Sequence, residues 1–108
     1  MKTLQNRQEL ADMIRCCRLL VVQYGAASCL PCGAIREKLT EWQQAHPAVE
    51  MVYVPLEEYP DLAAGQSIFA APAVLVYADG QLTVRRSGCF SLEEIFCEIG
   101  RYAALLEL

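Results

Sequence analysis

Two cysteines separated by two residues, Cys29-Leu30-Pro31-Cys32, are the side chains whose types and spacing best fit chemistry. They follow an apolar run, Leu19 to Tyr24, and precede a helical pattern, so the first thiol falls near a helix N-terminus. Unpaired backbone N–H groups and the positive end of the helix dipole favour a thiolate there, and the thiolate is the nucleophile. The second sulfur lies within one helical turn of the first, so a mixed disulfide formed at Cys29 can be resolved by Cys32. Pro31 suits the opening turn, where its missing N–H costs no hydrogen bond. The residues alone also admit a metal site or two idle cysteines. Zinc usually takes four ligands. Cys16-Cys17 could supply two, but a strand of six residues at ~3.3 Å each puts about 20 Å between them and the motif.

The elements that must position this pair follow from periodicity. Lys2 to Leu4 reads as a short edge strand. Asn6 and Glu9 have the spacing of a helix N-cap and its reciprocal partner, and Leu10, Met13, Ile14 and Cys17 then recur on one face, with Cys16 toward the rim. Leu19 to Tyr24 is too short for a helix and nearly continuously apolar, as a central parallel strand is. Gly25 to Ser28 form a loop. Ile35, Leu39 and Trp42 mark a helix from Cys32 to about Ala45, ended by Pro47. Val49 to Val54 is a strand, and Asp61 caps a short helix reaching about Ser67. Ala73 to Tyr77 and Leu82 to Arg86 form a hairpin through Asp79-Gly80. Ser91 and Glu94 cap a final helix whose core face is Leu92, Ile95, Phe96, Ile99, Ala103 and Leu106.

With 108 residues, the chain is expected to form a single domain, 1–108, of a size that buries roughly two-thirds of its unfolded surface. Its fold class is α/β, a central mixed sheet with helices on both faces. The net charge of −4 comes from 13 acidic against 9 scattered basic residues, which excludes a nucleic-acid-binding surface. No run approaches the ~20 apolar residues of a membrane span, and Met1 to Arg7 carry no apolar stretch behind their charges, so the chain is expected to be cytoplasmic and monomeric, without a membrane partner. The six cysteines lack the even spread of a secreted disulfide framework, so the remaining four read as small core or surface residues in a reduced compartment.

Three landmarks in register, Cys29-Leu30-Pro31-Cys32, Ala71-Pro72-Ala73-Val74 and Arg86-Ser87-Gly88, make the chain resemble the thioredoxin family over essentially its whole length. The resemblance implies a thioredoxin-like fold and a thiol–disulfide oxidoreductase acting on protein disulfides. Cys29 would attack, Cys32 would resolve, and Leu30, Pro31, Ala71, Pro72 and Gly88 would bind the extended substrate. It also implies a cis Ala71-Pro72 bond and electrons from a thioredoxin-reductase-like donor or small thiols, with no bound cofactor and no metal.

The chain departs from the family pattern at several positions. Ser28 stands where the family usually has tryptophan, Leu30 where it has glycine, Gln23 where it has a buried aspartate, and Tyr53 where a lysine often accompanies that aspartate. A buried carboxylate raises the pKa of nearby thiols by like-charge repulsion and can also take a proton from the resolving thiol; an amide does neither. Gln23 therefore tunes the pair toward a lower Cys29 pKa and a less reducing couple. These departures also favour the alternative of a redox-inactive interaction module. A metal-binding module is a third reading.

Cys89 follows Gly88 and reads as a small buried residue before the last helix, with an accessory redox thiol as the alternative. Cys97 reads as packing beside the apolar stripe, Trp42 as core, and Glu57-Glu58 as a solvated acidic edge. His46, the one histidine, sits at a helix C-terminus.

Overall fold

Leu19–Gly25 is an almost unbroken apolar run, and all seven of its residues are buried, because the strand lies mid-sheet with both faces covered. The computed structural model, which describes residues 1–108, runs β1 (Lys2–Thr3), α1 (Arg7–Cys16), β2 (Leu19–Gly25), α2 (Leu30–Gln44), β3 (Glu50–Pro55), α3 (Pro60–Gly65), β4 (Ala73–Ala78), β5 (Gln81–Ser87) and α4 (Leu92–Leu105). The strands form one sheet in the order β1-β3-β2-β4-β5. β2 pairs parallel with β3 and antiparallel with β4, so the sheet is mixed, as expected.

Strand alternation divides the core between the two faces. Leu20, Val22 and Tyr24 point into a cluster with Leu10 of α1 and Ala63 of α3, and Cys17 packs against its edge. Leu19 and Val21 point the other way, into a cluster with Ile35 and Leu39 of α2 and Ile95, Ile99 and Ala103 of α4. Gln23 continues this second series, which places its side chain on the α2 face. Trp42 is half-buried at the margin of that cluster, stacked between His46 at 3.7 Å and Phe96 at 5.6 Å.

Local signals are met with two differences. Asn6 accepts from the Glu9 N–H at 2.9 Å, but Glu9 reaches past the cap to the Gln5 N–H at 2.8 Å. Its other oxygen pairs with Lys2 at 2.6 Å, which draws the carboxylate outward. Asp61 does not cap α3: the cap position is Tyr59, and no side chain bonds there. Asp61 lies inside the first turn, past the cap position, and forms a two-pronged bond with Arg7 at 2.7 and 2.8 Å. Ser91 caps α4 through the Glu94 N–H as expected. The β4–β5 turn uses Asp79 and Gly80 with φ of 48° and 80°, the left-handed pair a two-residue hairpin needs.

Candidate active site

The chain leaves β2 through Ala26–Ser28 and enters α2 at Cys29, which is the N-cap and carries no side-chain cap hydrogen bond. Cys29 and Cys32 are joined as a disulfide with Cα atoms 5.4 Å apart. Cys29 is half-buried while Cys32 is only 2% exposed. Cys29 is therefore the more exposed member of the pair and Cys32 the buried one. Leu30 points outward, 94% exposed, and Pro31 is exposed beside it.

The pairing of Tyr24 with Ala73 sets the C-terminal end of β2 beside the N-terminal end of β4. The loop carrying Cys29 and the segment Ala71-Pro72 therefore emerge at the same end of the sheet. Open α/β sheets bind ligands at that end of their parallel strands. The Ala71-Pro72 bond is cis, Pro72 is buried and Ala71 half-buried. The Gly88 N–H donates to the Pro72 carbonyl at 3.0 Å, which brings the end of β5 to the same place.

Gln23 lies directly behind the pair. It is fully buried, and its Nε2 donates to the Cys32 carbonyl at 2.9 Å, while its Oε1 has no hydrogen-bond partner. An unpaired buried acceptor costs roughly 1–3 kcal/mol. Gln23 faces Tyr53 across the β2–β3 ladder. The Arg36 guanidinium, one helical turn beyond Cys32, lies 4.2 Å from the centre of the Tyr53 ring. Burial pushes the Tyr53 phenol up in pKa, with Arg36 opposing and Glu57 adding to the rise. A Cβ at Gly25 would overlap the same ring, so any other residue there requires Tyr53 to move.

The whole arrangement is that of a dithiol–disulfide pair at a helix N-terminus, backed by a buried polar group and bordered by a cis-proline segment. The thioredoxin family model matches residues 2–100. The chain belongs to the thioredoxin family. Among curated relatives it is similar to thioredoxin-2 of Pyricularia oryzae, 35% identical over 78 residues, covering 72% of this chain and 46% of that protein. Mitochondrial thioredoxin-3 of Saccharomyces cerevisiae is 34% identical over 79 residues, covering 73% of this chain and 62% of that protein. The chain thus spans about half to three-fifths of the length of these two relatives. Among solved structures, Fasciola hepatica thioredoxin superposes with a TM-score of 0.84 at 29% identity, covering 94% of this chain and 99% of that one. The oxidised form of mitochondrial thioredoxin 3 from Saccharomyces cerevisiae gives 0.80 at 30% identity, covering 91% and 94%.

Two of the readings of the remaining cysteines fail. Cys89 is exposed, not buried, because the chain turns outward at Gly88 before α4 begins. Cys97 is exposed as well: it follows Phe96 past the buried stripe and borders a surface depression with Glu93, Glu94, Glu98 and Arg101. Cys16 is exposed and Cys17 half-buried, as their helical positions require. Nowhere do three or more His, Cys, Asp or Glu side chains converge as a metal site would need. No helix is long and apolar enough to cross a membrane.

Glu57 takes a part that sequence reasoning missed. It accepts from the Ala27 N–H at 2.9 Å and so pins the loop that leads to Cys29. That backbone bond holds the carboxyl below the usual carboxylate range. The contact joins two loops 30 residues apart, and no local pattern signals it. Phe69, two residues before Ala71 and 80% exposed, was also passed over. The signal available was an aromatic residue in a loop of small residues.

Proposed function

We propose that this thioredoxin-family chain is a thiol–disulfide oxidoreductase that reduces protein disulfides through Cys29 and Cys32. The observation that carries the reading is the asymmetry of the pair: a half-buried cysteine at an uncapped helix start and a buried cysteine bonded to it. In the reduced state the Cys29 thiolate attacks one substrate sulfur. The substrate S–S bond breaks, and the departing thiolate takes a proton from solvent. Cys32, as a thiolate, then attacks the Cys29 sulfur, the mixed disulfide breaks, and the second substrate thiol leaves. Two electrons and two protons pass to the substrate, and the Cys29–Cys32 disulfide remains.

Ala71, Pro72 and Gly88 orient the substrate beside Cys29, with Leu30 and Pro31 as the adjoining surface. Gln23 acts on the pair in two ways. Its amide donates to the Cys32 carbonyl and holds the start of α2 in place. It carries no charge and accepts no proton at neutral pH, so the Cys32 proton leaves to water and the thiolate of Cys29 meets no buried anion. The couple is therefore less reducing than one with a carboxylate at this position. Electrons come from a thioredoxin-reductase-like enzyme or small thiols. The chain acts as a monomer in the cytoplasm, where the four remaining cysteines stay reduced.

An equilibrium redox titration, with alkylation and peptide mass analysis to separate Cys29 and Cys32 from the other four cysteines, tests this. The expected result is one two-electron transition confined to the pair. A pair that stays reduced across the accessible range sinks the reading in favour of an interaction module.

A further inference from the structure

Leu30 and Phe69 are the two most exposed large apolar side chains of the molecule, at 94% and 80%. Leu30 adjoins Cys29, and Phe69 stands between two surface grooves. One groove, of about 380 Å³, runs from Phe69 and Ile68 to Ala26 and Ser28 of the loop before Cys29, with Glu57 on its wall. The other, of about 320 Å³, runs from the same Phe69 and Ile68 to Ala71 and Gly88, with Arg85 on its wall. One groove reaches Ser28, the residue before Cys29, the other reaches Ala71, the residue before Pro72, and exposed Phe69 lines both.

The two charges on these walls have no ionic partner in the chain. Glu57 bonds only to backbone N–H, and Arg85 donates only to the Ser67 carbonyl, at 3.0 Å. Neither takes part in any of the molecule's salt bridges. Ala71, between Phe69 and the cis bond, makes no hydrogen bond through its N–H or carbonyl. An unpaired backbone segment flanked by side-chain grooves is the arrangement that accepts an extended strand, whose alternate side chains fall to the two sides.

Resting on the oxidoreductase reading above, we propose that Phe69 is a specificity-determining residue. It selects, as substrate, an extended protein segment with large apolar residues next to the reactive cysteine, a basic residue toward Glu57 and an acidic residue toward Arg85. The apolar residues cover Phe69 and Leu30 and fill the grooves. The opposite charges fix which way the segment lies across the site, since the reversed orientation sets like charges against each other.

The test uses reduced full-length protein in excess over short peptides, each with one central cysteine held as a mixed disulfide with thionitrobenzoate. The Cys29 thiolate attacks the peptide sulfur and thionitrobenzoate leaves as the coloured thiolate. Cys32 then attacks Cys29, and the peptide thiol is released. Rates are normalised to each peptide's reaction with dithiothreitol, and the rate of the Cys29→Ser/Cys32→Ser double variant is subtracted to remove the exposed thiols. Peptides with leucine flanks should react about tenfold faster than those with serine flanks. With leucine flanks, lysine and glutamate at opposite ends should favour one orientation over its reverse by about threefold. Phe69→Ser should bring the leucine-to-serine ratio close to one, and Phe69→Leu should largely restore it. Arg85→Glu should shift the preference to a peptide with lysine at both ends. Equal rates for all peptides, with the pair still turning over, overturn the specificity proposal and leave the oxidoreductase reading standing. If no peptide reacts above the double variant, the oxidoreductase reading itself falls.

Discussion

The end of the sheet that carries Cys29 and Cys32 and the helical surfaces that carry Cys16, Cys17 and Cys97 hold the same functional group in different surroundings. Cys29 stands at an uncapped helix start with a bonding partner one turn away and a buried amide behind it. Cys16 and Cys17 end a helix with neither sulfur bonded to another, and Cys97 lies among carboxylates on α4. Burial, with the Glu50 carboxylate and Cys16 adding to it, pushes the Cys17 thiol up in pKa. What sets Cys29 apart is its place at a helix start and the second sulfur bonded to it, neither of which is a property of cysteine alone.

The largest effect that could break this contrast is on turnover. Cys29→Ser should reduce disulfide reduction to background. Cys32→Ser should leave a trapped mixed disulfide at Cys29, visible by mass. Replacing Cys16, Cys17, Cys89 and Cys97 together by serine should leave most of the activity in place; a comparable loss in that variant erases the distinction. Next is the support behind the pair. Gln23→Ala opens a cavity and removes the side-chain donor to the Cys32 carbonyl but also removes the unpaired Oε1, so urea unfolding should show a loss of about 1–3 kcal/mol.

Gln23→Asp sharpens the comparison by adding the charge this site lacks. The Cys29 pKa, followed by thiolate absorbance, should rise, and the couple should become more reducing by an amount on the order of 30 mV. Burial raises the pKa of the new carboxyl, so the effect should grow with pH as it ionises. No change in either quantity removes Gln23 from any tuning role. Among the free thiols, Cys17 should be alkylated more slowly than the exposed Cys16, Cys89 and Cys97, since it is half-buried and burial pushes its thiol up in pKa. Uniform labelling rates contradict that.

The smallest effect lies at the opposite end of α1 from Cys16-Cys17. Arg7 holds the Asp61 carboxyl down to about 2, from an ordinary 3.8. A carboxylate depressed in the folded state stabilises the fold above its unfolded pKa, and that contribution is lost as pH falls from about 4 through about 2. Asp61→Asn should lower stability slightly at pH 7, because the pair is exposed and screened, and the gap from the parent chain should close as pH falls from about 4 through about 2.

Much of the fold was legible from periodicity. β2 could be read because a buried central strand has no solvent-facing positions to break its apolar run. The β4–β5 hairpin could be read because Asp79-Gly80 supplies the left-handed pair its turn requires. The same alternation that separates Leu20, Val22 and Tyr24 from Leu19 and Val21 puts Gln23 on the α2 face, under Cys32. Asp61 was misread because its side chain answers to Arg7, 54 residues away. Cys89 and Cys97 were misread because small apolar residues carry no label for burial.

By itself, then, the sequence determined the order of strands and helices, the redox pair and its helix start, and the absence of a carboxylate behind it. These depend on neighbours within a few residues, where backbone preference and side-chain period act. Only the tertiary structure decided that Gln23 bonds the Cys32 carbonyl with one amide atom and leaves the other unpaired. It likewise decided that Glu57 pins the loop before Cys29, and that Phe69 divides two grooves with opposite charges on their walls. Those outcomes depend on which distant segments close against one another, and no local pattern encodes that closure.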